Sequence, residues 1–186
     1  MRTVSAILLL VTALGAWAVE HEFYWDNGVP GGSYAFNFAA RYYVVFDEEL
    51  TGGRTDGVVT RLGVYTRPNW PDSTYQGCYL FVINNTPDGY PGDELVEVYA
   101  PGIPGQYSWV DVNVQLSDST FWVGWKQIGL YPACDAISYD SNGGTGHSWH
   151  PGPDGWLPYD LMLRCYWEDG EVTIRESTWG RIKNLW

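Results

Sequence analysis

Tyr107-Ser-Trp-Val-Asp-Val-Asn-Val-Gln115 decides the fold class. Val110, Val112 and Val114 alternate with Asp111, Asn113 and Gln115, so one side of an extended chain is apolar and the other polar. A repeat of two residues is the mark of a half-buried strand; an amphipathic helix would repeat every 3.6. Working outward, Asp160-Leu-Met-Leu-Arg-Cys-Tyr-Trp167 alternates in the same way, with Leu161, Leu163, Cys165 and Trp167 on one side. Further strands are expected at Tyr34–Phe46, Val58–Thr66, Gly77–Asn84, Leu95–Ala100, Phe121–Gln127 and Glu171–Arg175. Gly, Pro, Asn and Asp cluster between them, as in Arg67-Pro-Asn-Trp-Pro-Asp72, Asn84–Asp93 and Asp140–Gly155. Strands this numerous, with frequent turns and no ten-residue amphipathic helix, predict an all-β fold. The expected form is an antiparallel β-sandwich of jelly-roll type, with a closed barrel as the second choice. No repeat of 20–50 residues points to a propeller or solenoid.

The chain is 186 residues long, enough for one domain and short tails. Charged residues are 17%, below the usual ~25%, and aromatics are also 17%, with 11 Trp and 14 Tyr. The formal charge is -12, and Lys126 and Lys183 are the only lysines. A nucleic-acid partner needs clustered cations, and so does an anionic membrane surface, so both are excluded as partners.

Residues 1–18 read as a secretion signal. Arg2 precedes the apolar run Ala6–Leu14, and Ala16-Trp-Ala18 fits a cleavage site. The run is too short for the ~20 residues of a membrane span. Cleavage after Ala18 removes Arg2 and takes the formal charge from -12 to -13. The expected organisation is a signal peptide at 1–18, a sandwich domain at 19–176 and a tail at 177–186. The product would be secreted, extracellular or at the cell surface. In the tail, Trp179, Ile182 and Trp186 fall on one helical face and Arg181 and Lys183 reverse the charge of the body. A short helical or irregular tail of this kind suits docking or a sorting and anchoring role.

Cys78, Cys134 and Cys165 allow one disulfide with one free thiol, or a bridge between chains, and the pairing stays open. The plainer alternative makes at least one of them a small buried apolar side chain.

The body resembles a module of secreted and cell-surface bacterial proteins. The phrases that carry the likeness are Trp25-Asp-Asn-Gly28, the acidic turn Asn85–Asp93, Trp109-Val-Asp-Val112, Phe121-Trp-Val-Gly-Trp125, the Gly-rich Gly143–Trp149 loop and Asp160-Leu-Met-Leu-Arg164. The tail phrase Thr178-Trp-Gly-Arg-Ile-Lys183 is similar to the ends of other secreted bacterial proteins. The likeness covers about residues 22–168. It implies a jelly-roll sandwich similar in outline to carbohydrate-binding and galactose-binding-like modules, and it carries no activity.

Chemistry is expected in the segment Asp140–Tyr159, because long irregular loops on rigid sandwiches carry binding sites. His147, Trp149, Asp154, Trp156 and Tyr159 are the candidate ligand-binding residues. Trp and Tyr faces stack on the C–H faces of sugars, and Asp and His meet their hydroxyls. The competing expectation is that these aromatics close one end of the sandwich. His147 and His150, with Asp140 or Asp154, are a weaker candidate for a transition metal. Calcium is the candidate cofactor at Asp88, Asp93 and Glu94, where oxygen ligands crowd a Gly/Pro turn; Asp47, Glu48 and Glu49 form a second acidic cluster. No nucleophile-elbow, zincin or phosphate-loop motif is present. The expected role is therefore a non-catalytic module that binds a polysaccharide or cell-surface glycan. The alternatives are a structural or adhesion subunit, and a small secreted hydrolase.

Overall fold

The structure is a computed structural model describing residues 19–69, 75–152 and 155–169. The expected signal peptide, the expected strand Glu171–Arg175, the tail from Ser177 and the candidate Asp154 lie outside the described residues. In chain order the elements are β1 (Glu20–Phe23), β2 (Pro30–Tyr34), β3 (Arg41–Phe46), α1 (Glu48–Thr51), β4 (Val58–Tyr65), β5 (Cys78–Asn85), β6 (Pro91–Ala100) and β7 (Tyr107–Gln115). They continue with β8 (Phe121–Gln127), β9 (Gly129–Leu130), β10 (Ala133–Cys134), β11 (Ile137–Asp140), β12 (Ser148–Trp149) and β13 (Leu163–Glu168).

Two antiparallel sheets pack face to face. One has the order β1-β13-β4-β7, the other β12-β3-β8-β5-β6, and two-stranded ribbons β11-β2 and β10-β9 flank them. The chain crosses between the sheets repeatedly, β3 to β4, β4 to β5 and β7 to β8, as a jelly-roll-like sandwich requires, and no sheet closes into a barrel. The period-two readings hold in detail. Within β13, Leu163, Cys165 and Trp167 are buried while Arg164, Tyr166 and Glu168 are half-buried, and Val110, Val112 and Val114 pack on the core; Met162, just before β13, is buried too. The reading Tyr34–Phe46 is corrected: the run is two strands, β2 and β3, in different sheets, because residues 35–40 turn between them.

The five-stranded sheet is covered on both faces. Its inner face sends Tyr42, Val44, Phe46, Leu80, Val82, Val123 and Trp125 into the core between the sheets. Its outer face carries a second cluster of Tyr43, Val45, Phe81, Ile83 and Trp122, with Tyr79 and Trp149 packed on it. Arg41-Tyr-Tyr-Val-Val-Phe46 and Phe121-Trp-Val-Gly-Trp125 are continuous apolar runs for this reason: a strand buried on both faces has no polar side to show.

The turn Trp25-Asp-Asn-Gly28 is a clasp. Trp25 Nε1 donates to the Val45 carbonyl at 2.8 Å, and Asp26 accepts from the Gly28 amide at 2.8 Å. Asp26 is 2% exposed and takes a forked pair from Arg164 on β13, Nε at 3.0 Å and Nη2 at 2.5 Å. The Tyr107 hydroxyl adds bonds at 3.0 and 3.1 Å. A buried carboxylate survives in this way, with a charge partner and filled lone pairs. Cys78, Cys134 and Cys165 are free and buried, and burial pushes the thiols upward, so they pack as apolar side chains.

Candidate functional site

The segment from Asp140 to Tyr159 is anchored before it is exposed. Asp160, 1% exposed, accepts from the Thr145 amide at 3.0 Å and from the Thr145 hydroxyl at 2.8 Å. The same hydroxyl lies 2.7 Å from His147 Nδ1, and His147 Nε2 lies 3.4 Å from Asp47, the N-cap of α1. The His147 ring stacks on Trp25 at 3.6 Å between ring centres and 5° between planes. Burial raises the Asp160 carboxyl above the ordinary carboxylate range; the Thr145 bonds pull the other way and Asp140 adds to the rise. His147 is thus half-buried and committed to holding the loop, with α1 and the Trp25 turn.

Beyond that anchor, residues 148–150 and 155–157 pair as the two arms of a hairpin along the edge of β3. Ser148 pairs with Val44 and Trp149 with Tyr43, while His150 N donates to the Gly155 carbonyl and Leu157 N to the Ser148 carbonyl, both at 2.8 Å. Trp149 and Trp156 lie opposite each other across it. Alternation then divides its side chains between two surfaces. Trp149 and Trp156 turn to the outer face of the five-stranded sheet. His150 and Leu157 turn inward, toward Tyr42.

On the outer face Trp149 packs against Tyr43, Trp122 and Tyr90 at 5.6, 6.3 and 6.1 Å. Trp156 packs on Trp122 at 5.9 Å. Trp156 is 45% exposed and Tyr90 50%, so two rings present open area on either side of half-buried Trp149. Trp122 Nε1 donates to Asn85 Oδ1 at 2.9 Å, which places that amide beside the rings. The charges on this face are paired: Arg41 with Glu94, and Lys126 with Glu97 at 3.0 Å.

The structure brings together two of the expected ligand-binding residues, Trp149 and Trp156. Tyr159 instead stacks on Tyr139 at 4.4 Å, and His147 on Trp25. Trp149 and Trp156 cover the outer face of the five-stranded sheet. Sequence reading missed Tyr90, whose signal is its position in the tight turn Asp88-Gly-Tyr90 of the β5–β6 hairpin. Asp88, Asp93 and Glu94 lie on that hairpin, and Glu94 is engaged by Arg41. His147 and His150 lie against different rings, Trp25 and Tyr42. Among the described residues no group of three or more His, Cys, Asp or Glu side chains is placed to hold a metal ion, and no helix is long and apolar enough to cross a membrane.

Comparison with protein-family models, with curated proteins and with solved structures returned no match.

Proposed function

We propose that the chain is an exported, non-catalytic module that binds a neutral polysaccharide through Trp156, Trp149 and Tyr90. The observation that carries this reading is Trp156, 45% exposed on a base formed by fully buried Trp122 and half-buried Trp149. Nearly half of a large apolar ring is left in water on a rigid support, and Tyr90 extends the surface to a second ring. Such a surface matches the flat C–H faces of successive sugars, and the Asn85 amide and the Tyr90 hydroxyl supply polar partners. Ligand charge follows from the surroundings: the cations on this face are already paired with Glu94 and Glu97, and the chain carries -12. A polyanion would be repelled. Export rests on the signal-like residues 1–18. Affinity electrophoresis through gels containing neutral or acidic polysaccharides tests the reading: retardation by a neutral polymer supports it, and retardation by acidic polymers alone, or by none, overturns it.

A structural or adhesion subunit is the second reading, and β6 favours it. This ten-residue strand ends the five-stranded sheet and exposes Leu95 and Tyr99 at 45% and 52%. An open edge of that length is a template for another strand.

A further inference from the structure

The inward side of the hairpin, through His150, Pro151, Gly152 and Leu157, lines one wall of an open-mouthed cavity of about 490 Å³. Its walls are Tyr34, Phe36 and Tyr42 on one side and His150 and Leu157 on the other, with Phe38 at the rim. Tyr34 and Tyr42 are stacked, 5.5 Å apart and 9° between planes; Phe36 lies 5.4 Å and His150 5.7 Å from Tyr42. We propose that this cavity is a binding site, separate from the outer-face platform, for a small neutral molecule that combines a flat ring with one hydrogen-bond acceptor, of the aryl ketone class.

Size and lining set the ring. The volume lies within the ~300–1,000 Å³ of small-molecule sites, and an apolar lining with a few polar groups is their usual composition. Phe38, 58% exposed, marks an entrance where an aromatic surface is already in water. Tyr42 sets the acceptor. It is 6% exposed, and its hydroxyl makes no hydrogen bond with any described residue. Burial raises the pKa of Tyr42, as it does that of Tyr34, so both phenols are neutral and keep their protons. The hydroxyl is not among the fully buried unpaired polar atoms, so it opens into the cavity, where a ligand carbonyl can take the place of water as its acceptor. Arg41 at the rim is held by Glu94, so no free cation awaits an anionic ligand. A sugar does not suit this cavity either, because two phenols and one imidazole cannot satisfy its many hydroxyls.

The test uses the full chain and ligand-observed NMR titration with three probes of similar size: acetophenone, ethylbenzene and benzoate. Acetophenone should bind saturably and more tightly than the other two. Tyr42→Phe should weaken acetophenone by about tenfold, the effect of one buried hydrogen bond, and leave ethylbenzene unchanged. Ala39→Trp, at an exposed rim position, should abolish binding of both. Trp156→Ala should leave acetophenone binding intact, which keeps this site distinct from the platform. The proposal is overturned by the absence of saturable acetophenone binding, by benzoate binding as tightly, or by affinities that neither Tyr42→Phe nor Ala39→Trp changes.

Discussion

The ring of Phe81 lies directly over Gly124, in the space where any other residue would place its Cβ. The two residues face each other across the β5–β8 ladder on the outer face of the five-stranded sheet, and Tyr43 flanks the same glycine from β3. The absent side chain lets Phe81 become fully buried and provides the level base on which Trp122 and Trp149 pack.

Gly124→Ala should therefore destabilise the domain. Its methyl would overlap Phe81 and sit about 3.1 Å from Tyr43. Overpacking of this kind costs about 1–3 kcal/mol. At roughly 2–4 °C per kcal/mol for a domain of this size, thermal denaturation should show Tm lowered by several degrees. An unchanged Tm would mean that the outer cluster is not tightly packed.

Arg164→Met should be far more damaging than an ordinary surface substitution. It leaves Asp26, whose side chain is 0% exposed, without its cation. Removing one partner of a buried pair costs about 3–5 kcal/mol. The paired change Arg164→Met with Asp26→Leu should recover a large part of that loss in urea denaturation, because no unpaired charge remains. Failure to recover would assign the loss to packing.

Asp160 gives a pH dependence with a definite sign. Its carboxyl is raised above the ordinary Asp value by burial. Between the ordinary value, about 3.9, and the raised one, the native state binds more protons than the unfolded state, so stability falls as pH rises through that window. Below it the contribution is fully present. Asp160→Asn keeps an acceptor for Thr145 and does not titrate. The Tm of the wild type relative to Asp160→Asn should decline as pH rises above the ordinary Asp value, and a difference independent of pH would contradict the burial argument.

Most of the sheet was legible in the sequence, because alternation at Val110–Val114 and Leu163–Trp167 reports one buried face. What did not alternate was harder to place. In Arg41–Phe46 and Phe121–Trp125 both faces are apolar, and the run itself signals cover on both sides, but not by which residues. The aromatic loop was legible as a group, yet its members divide by a two-residue period inside a hairpin that Gly and Pro conceal. Trp149 and Trp156 reach the outer face, His150 and Leu157 the cavity. Trp25 and Asp26 were legible in the sequence only as a short aromatic–acidic phrase before a glycine; the hydrogen bonds to Val45 and Arg164 show that the phrase is a structural clasp.

Of the two platform tryptophans, Trp156 is the one to remove. Trp149 supports Tyr43 and Trp122, so its loss would unfold as well as unbind. Isothermal titration of the wild type and of Trp156→Ala with one soluble neutral polysaccharide, under conditions where thermal denaturation shows both proteins fully folded, tests the central claim most directly. The variant should lose about 1–3 kcal/mol of binding free energy, the range of an anchoring aromatic. Equal affinity of the two proteins would contradict it.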